Sequence, residues 1–533
     1  MGLMTSRPRV TPPTMVPRTP ASEAGTASSP RPSTTLVQTT ASSWREAHAA
    51  AIHSGGRFAG LYAVGPDDTT GNNPANRDRT GTTIRSVFAF GDQVKVLSAR
   101  AVPTQALEKR RAGTSVAGTS GIGRTLPSIV DILPAAAWDE REAHDLYEVD
   151  FPGHVPMRPL ISHSDDLGSW TVPVVGAGTH QVAVGPIHAG VIESGHFRFH
   201  VVGERVLHLD LRLFYNHRGL ERAAVGAPLD TGLAIIQRAC GACAVSNTLA
   251  FTQACEEVLG LWPDAALSTQ RTILVELERL YNHLNDIGAM CAGIGFAPGT
   301  MAFAALKERA QRLIGRLAGH RFMFGTVHIA KGAFSPTRGE TREARLELLS
   351  IKEQSARSWR EVLFNTSVQN RVTAVGILDH ASAERFGAVG PAARASGIPL
   401  DTRSHSPRLD YGELQPPSPV DPTGDVAARM AVRAAELETT LALLDALLAR
   451  DLHDAAAGAI TEGSPIGVGV VESPRGATTC IVESDGTTIQ RLHLRTASYA
   501  NWPAVAHATA GNLLPDFPLV NKSFELCYAC SDR

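Results

Sequence analysis

The sequence predicts an α+β protein in which a small N-terminal α/β domain precedes a large, mainly helical domain with peripheral β elements. Three observations lead there. The chain has 533 residues, too many for one ordinary hydrophobic core. Short β-rich runs bounded by turn residues occupy its early part, at 58–64, 83–90 and 93–102. Beyond residue 243 the apolar spacing becomes helical, most clearly at 268–290, where Ile273, Leu274, Leu277, Leu280, Tyr281, Leu284 and Ile287 recur at helical intervals.

Residues 1–43 are rich in Pro, Ser, Thr and Ala, with Arg7, Arg9, Arg18 and Arg31 against the single acid Glu23. Such a stretch buries too little apolar surface to offset the entropy of ordering it, so a disordered tail is expected. Residues 44–165 form the small domain. After its strands, a turn region at 67–81 and a Gly/Ser/Thr stretch at 112–123, it carries Trp138-Asp-Glu140-Arg141-Glu142-Ala-His144-Asp145-Leu-Tyr147, then Phe151-Pro-Gly153-His154. Taken alone, such alternating charge reads as a solvated helix face with local ion pairs. Residues 166–182 read as a linker and 183–533 as the large domain.

That domain opens on Glu193-Ser-Gly195-His196-Phe197-Arg198, a strand-like run at 199–213, and Tyr215-Asn-His217-Arg218-Gly219-Leu-Glu221. Helices are expected at 247–259, 268–290, 341–364 and 425–452. Two β-rich runs, 467–471 and 490–496, flank Glu472-Ser-Pro474-Arg475-Gly476, whose Pro and Gly fix a loop able to aim Arg475.

Composition narrows the function. A formal net charge of -2 gives no bulk attraction to nucleic acid or to an anionic membrane. The most apolar region, around 430–448, is interrupted by Arg433, Glu436 and Glu438, so no direct membrane span is expected and any membrane link comes through partners. Seven cysteines suit a reducing cytoplasm better than a disulfide framework. Cys255, Cys291 and Cys480 stand outside paired motifs and read as small core hydrophobes.

The other four cysteines form two pairs, Cys240-Gly-Ala-Cys243 and Cys527-Tyr-Ala-Cys530, separated by 287 residues (527 - 240). Each pair puts two thiols on one short turn, and two such turns brought together give four soft sulfur ligands. Zinc, an iron-sulfur cluster and a nickel-iron centre all accept that donor set. A zinc ribbon usually closes within a few tens of residues, which this separation far exceeds. A helix starting directly after Cys243 would favour thiolate over thiol.

Arg238-Ala-Cys240-Gly-Ala-Cys243 and Cys527-Tyr-Ala-Cys530-Ser-Asp532-Arg533 resemble the two metal-binding motifs of nickel-iron hydrogenase large subunits. Glu193-x-Gly-His-Phe-Arg198, His217-Arg-Gly-Leu-Glu221, Val275-Glu-Leu-Glu-Arg279-Leu, the stretch from Arg394 to Arg403 and Glu472-x-Pro-Arg475-Gly resemble those of energy-converting (group 4) enzymes of the formate hydrogenlyase large-subunit type. The order Trp138, Glu140-Arg-Glu142, Asp145-Leu, Phe151-x-Gly-His154 resembles the smaller matrix-arm subunit of respiratory complex I, a docking module without a redox centre.

The resemblance implies a nickel-iron centre whose iron carries carbon monoxide and cyanide. It implies Cys240 and Cys527 as terminal ligands of nickel, and Cys243 and Cys530 as bridges to iron. It implies Glu193 as the group passing the proton and Arg475 as a fixed cation over the open position. Cys255, Cys291 and Cys480 cannot ligate a further four-iron cluster, so electrons would leave through an iron-sulfur small subunit. Membrane subunits and maturation chaperones complete the implied partners, with the chain peripheral on the inner face of the cell membrane. Hydrogen turnover coupled to formate oxidation is the implied activity.

Two alternatives stand beside it: a metal-free scaffold or quinone-site subunit of a complex I-type NADH:quinone oxidoreductase, and a structural zinc site. Two positions depart from the motifs: Asn247 stands where a histidine is common, and Glu525-Leu526 where Asp-Pro is common. The amide of Asn247 can donate to a bridging sulfur but carries no charge.

Overall fold

The computed structural model describes residues 14–16, 34–65, 81–103, 124–163, 166–188, 193–412, 414–459 and 461–533. The early β-rich runs form a four-stranded sheet of β1 (Thr34–Thr39), β2 (Arg57–Val64), β3 (Thr83–Phe90) and β4 (Gln93–Arg100), in the order β1-β4-β3-β2. β1 runs parallel to β4, and the other pairs are antiparallel. One face, with Leu61, Phe88 and Leu97, packs on Trp44 of helix α1 (Trp44–His53). The other, with Tyr62, Val87 and Val96, packs on Ile466, Val468 and Ile481 of the large domain. A sheet covered on both faces explains why polar alternation is weak along these strands.

Residues 34–39 correct the expected tail boundary at 43. They are an edge strand, with Leu36 opposite Val96 and the Thr34 N–H donating to Glu257 at 2.9 Å. An open sheet edge supplies backbone partners that composition does not register. The remainder of 1–33 lies outside the described residues, apart from Thr14–Val16, which pairs antiparallel with Ser418–Val420. Most of the turn region and all of the 112–123 stretch lie outside them too.

The linker is shorter than expected. Thr179–Val184 is a strand hydrogen-bonded to His196–Val202, which in turn pairs with Arg205–Arg212. The run at 199–213 is thus the inside of a hairpin, turned at Gly203 with φ 58°.

The charged helix of the small domain, α2 (Ala137–Tyr147), is not a solvated face. Asp139, Glu140 and Glu142 are buried. Glu140 accepts from Ser128 Oγ and the Ile129 N–H, while Asp139 pairs with Arg495 at 2.9 Å, so the helix is the seam between the two domains.

The large domain is built around α3 (Ala265–Gly293), capped by Asp264, whose carboxylate accepts from the Leu267 N–H. All seven residues of its predicted stripe are buried. Around it pack α4 (Ala297–Ala318), α5 (Arg338–Leu363), opened by the Thr337/Glu340 capping box, and α6 (Val426–Leu447). α4 is absent from the sequence reading because its first turn contains Pro298 and Gly299; the stripe of Phe303, Leu306, Ala310, Leu313 and Ile314 starts only afterwards. Between the two late β-rich runs lies a third strand, giving a sheet of β5 (Ile466–Ser473), β6 (Gly476–Ser484) and β7 (Ile489–Arg495). Among the described residues no helix is long and apolar enough to cross a membrane.

The opposite side of α3 carries charge into the interior. Glu276 meets Arg279 and Arg403; His283 Nε2 donates to Glu436 at 2.8 Å; Asp286 meets Arg433 at 3.2 Å. Burial alone would raise these carboxyls, but the surrounding cations outweigh it: Glu276 and Glu436 are held below their ordinary range and Asp286 falls to about 2. Because the folded values lie below those of the unfolded chain, near ~4, this stabilisation is complete above that value and is lost as pH falls toward 2. The melting temperature should therefore drop between pH 5 and pH 3. In Glu436→Gln, which releases no proton, the drop should be shallower, and equal slopes in the two proteins would refute the assignment.

Candidate metal centre

The first cysteine turn follows a short helix, Leu229–Gln237, and ends where the helix Ala244–Val258 begins, with Cys243 at its N-cap. At that helix start Val245 and Ser246 donate their N–H groups to the Glu278 carboxylate, at 2.7 and 3.1 Å. Burial pushes Glu278 up to about 7 despite these donors. Tyr281 and Asn282, one turn further along α3, donate to the Ala242 carbonyl at 3.0 and 2.8 Å. The second turn leaves the left-handed residue Glu525 (φ 51°) and enters the short helix Tyr528–Asp532. The Cys527 N–H donates to Ser498 Oγ at 3.0 Å, and Thr496 Oγ1 donates to the Cys530 carbonyl at 2.9 Å.

These anchors bring all four predicted cysteines together. The sulfurs of Cys240, Cys243 and Cys530 lie within 4.8 Å of one another, and Cys527 Sγ is 3.1 Å from Cys240 Sγ. Hydrogen bonds from the other three thiols pull Cys240 well below the ordinary thiol range, and its anion holds those three well above it. Asn247 Nδ2 reaches Cys530 Sγ at 3.8 Å, the contact expected of an amide at that position. Cys255, Cys291 and Cys480 are buried elsewhere as free thiols, and burial raises each.

Glu193 is exposed as a residue, but its carboxylate is turned onto the second cysteine turn, accepting from the Ala529 N–H at 2.6 Å. Desolvation raises it, and the charge of Cys240 adds to the effect against the pull of that N–H. Gly195 allows the approach: a Cβ there would lie 2.5 Å from Tyr528 Cε1. Arg475 occupies the two-residue loop of the β5–β6 hairpin and is buried. Its Nε donates to the Glu525 carbonyl at 2.8 Å, Nη1 to Asn282 Oδ1, and Nη2 to Asp286 at 3.4 Å. Gly390 and Gly476 hold that loop, since a Cβ on Gly390 would lie 2.2 Å from the Arg475 carbonyl oxygen. Glu525 is pushed up to about 8 by burial and by Asp286.

Arg218, within the His217–Glu221 motif, holds the two cysteine turns together. Its guanidinium donates to the carbonyls of Arg238 and Ala239 before the first cysteine pair, and to Ala529 within the second, at 3.1, 2.7 and 3.3 Å. Asp286 and Asn282 were missed because they sit inside an unbroken helical pattern, and Glu278 stands in the Val275–Leu280 motif without an assigned role. The only available signal was charge at positions facing inward.

Four clustered thiols, three of them buried, with a fixed arginine beside them, suit a soft metal centre. Residues 293–458 and 459–533 match the family described as respiratory-chain NADH dehydrogenase, 49 Kd subunit, and residues 104–172 match its 30 Kd subunit. Formate hydrogenlyase subunit 5 of Escherichia coli is 31% identical over 76% of this chain and 77% of its own. Hydrogenase-4 component G of the same organism is 31% identical over 77% of this chain and 76% of its own. A chain of the membrane-bound sulfane sulfur reductase, an archaeal respiratory membrane complex, superposes with a TM-score of 0.62 at 25% identity, covering 68% of this chain and all of that one. The chain belongs to the energy-converting nickel-iron hydrogenase large subunits of the formate hydrogenlyase type, with a complex I smaller-subunit module fused at its N-terminal side, and is an oxidoreductase.

Proposed function

We propose that this chain is the catalytic large subunit of a membrane-associated hydrogenase, interconverting hydrogen with protons and electrons. The observation that carries the reading is the convergence of the four cysteines from turns 287 residues apart (527 - 240) on one buried point. Cys240, Cys243, Cys527 and Cys530 would hold a nickel-iron centre, which supplies an electrophilic open position for heterolytic cleavage of hydrogen. Glu193 takes the released proton at its carboxylate and passes it outward, being both next to the cysteine turn and open to solvent. Arg475 keeps a permanent cation against the site, oriented by Asn282, Asp286 and the Glu525 carbonyl. Asn247 donates to Cys530 sulfur without adding charge.

Electrons leave through an iron-sulfur small subunit; membrane subunits hold the complex on the inner face of the cell membrane, and maturation chaperones insert the metals. Coupling to formate oxidation follows the relationship to formate hydrogenlyase subunit 5. Anaerobic purification with native partners, followed by nickel, iron and zinc analysis and infrared spectroscopy, tests the reading. About one nickel per chain with bands of metal-bound carbon monoxide and cyanide is expected. Zinc alone, or intact protein without metal, would replace the hydrogenase by the complex I-type scaffold or the zinc site.

A further inference from the structure

The two domains do not close completely on each other. A cavity of about 210 Å³ lies where β2 and β4 of the small sheet meet β5, the helix Ala244–Val258 and the turn Thr402–His405. That is below the ~300–1,000 Å³ of sites for drug-sized ligands, so it suits a smaller molecule. Its wall is in part apolar, from Val94, Val468 and Val470, and the exposed residues Gly91 and His405 stand at its mouth. Most charged groups around it are already committed. Glu257 accepts from the Thr34 and Val468 N–H groups, both at 2.9 Å, and Asp401 accepts from Arg403 at 2.7 Å. Arg408 donates to the Leu261 carbonyl at 3.0 Å and lies over the Trp262 ring. A further acid, Asp92, sits half-buried on the β3–β4 turn next to Gly91.

Two donors are left over. Arg57, half-buried at the start of β2, lines the cavity with no side-chain hydrogen bond or ion pair among the described residues. Burial weakens its hold on its proton, with Glu472 pulling the other way and Arg495 adding to the effect. Gln253, only 4% exposed, accepts at Oε1 from the Val470 N–H at 3.2 Å, which leaves its amide nitrogen without a partner. We infer that this seam binds a small organic carboxylate, its head taken by the Arg57 guanidinium and the Gln253 amide nitrogen and its hydrocarbon body resting on Val94, Val468 and Val470. A guanidinium matches a carboxylate through two parallel N–H···O bonds, and the partial burial of Arg57 strengthens that pairing. Glu257 and Asp401 do not compete for Arg57, since each is held by its own donors. The apolar wall favours an organic acid over a bare inorganic oxyanion. Arg57 and Val94 belong to the small domain and the other three residues to the large one, so an occupant joins the two. The site is separate from the cysteines and needs no metal there.

The test uses the full chain with its native partners. Binding of butyrate is titrated by saturation-transfer NMR at constant ionic strength, with butanol and inorganic phosphate as comparison probes. Butyrate should bind at least about tenfold more tightly than either. Arg57→Met, which keeps an unbranched stem without the charge, should weaken butyrate by about tenfold or more. Gln253→Glu keeps the oxygen that the Val470 N–H needs but sets an anion against the carboxylate, and should abolish binding. Saturating butyrate should raise the melting temperature of the parent and not that of either variant. No transfer to butyrate in the parent, or a parent-like affinity in Arg57→Met, overturns the inference, and phosphate binding more tightly than butyrate overturns the carboxylate assignment. Should Arg57→Met fail to fold, parent-like butyrate binding in Gln253→Glu overturns it equally.

Discussion

Cys530→Ala should cut nickel from about one per chain to less than about a tenth, and hydrogen turnover with it, while the chain remains folded. The sulfur of Cys530 is almost wholly buried, lies in the three-thiol cluster and receives the Asn247 amide, so its loss opens one side of the donor set. The backbone of its turn stays fixed by Thr496 and Ser498, which bond main-chain atoms rather than sulfur. Cys480→Ala is the control. That cysteine is equally buried but lies in strand β6 among core residues, so its truncation should cost about 1 kcal/mol and leave nickel unchanged. Glu193→Gln separates holding metal from moving protons: glutamine can still accept the Ala529 N–H, yet cannot carry a proton. It should keep its metal and lose turnover by about 10²–10⁴-fold. Full metal and full turnover in Cys530→Ala, or loss of both in Cys480→Ala, would refute the four-cysteine centre.

Much of this site was legible in the sequence because ligands leave compact local signatures. Two Cys-x-x-Cys turns, and Pro474 and Gly476 around Arg475, are readable without knowing what lies opposite. The residues that hold them were hidden for the converse reason. Asn282 and Asp286 serve Arg475 from the middle of α3, where pattern alone says helix and nothing about the partner 193 or 189 residues away. The small domain shows the same limit. Asp139-Glu140-Arg-Glu142 has the local look of a solvated face, and the large domain's Arg495, paired with Asp139, and Arg533, paired with Glu142, turn it into a seam. Helix α4 and strand β6 were overlooked on simpler grounds, a Pro-Gly start in one case and a Thr-rich run after a glycine in the other.

Arg394→Ala should destabilise the chain by roughly 3–5 kcal/mol, the range for stripping one partner from a buried ion pair. Arg394 is fully buried; its Nε donates to Glu436 at 2.7 Å, and its Nη1 donates to Glu472 at 2.9 Å and to the Leu400 carbonyl at 2.7 Å. Its removal leaves two carboxylates in the interior, only partly served by His283 on one side and Thr402 on the other. Arg394→Met combined with Glu436→Leu should recover part of the loss, because an apolar pair replaces the ionic one; Glu472 keeps the recovery incomplete. Denaturant unfolding of the three proteins measures both steps, and a loss within about 1 kcal/mol for Arg394→Ala would show that the ion cluster is not what holds this region. The consequence reaches the site through the hairpin. Glu472 carries the strand end that presents Arg475, with its own carbonyl held by Arg279 at 2.7 Å. Turnover should therefore fall further in Arg394→Ala than in a variant of equal instability placed on the far side of α5, because only the former frees the loop that aims the arginine.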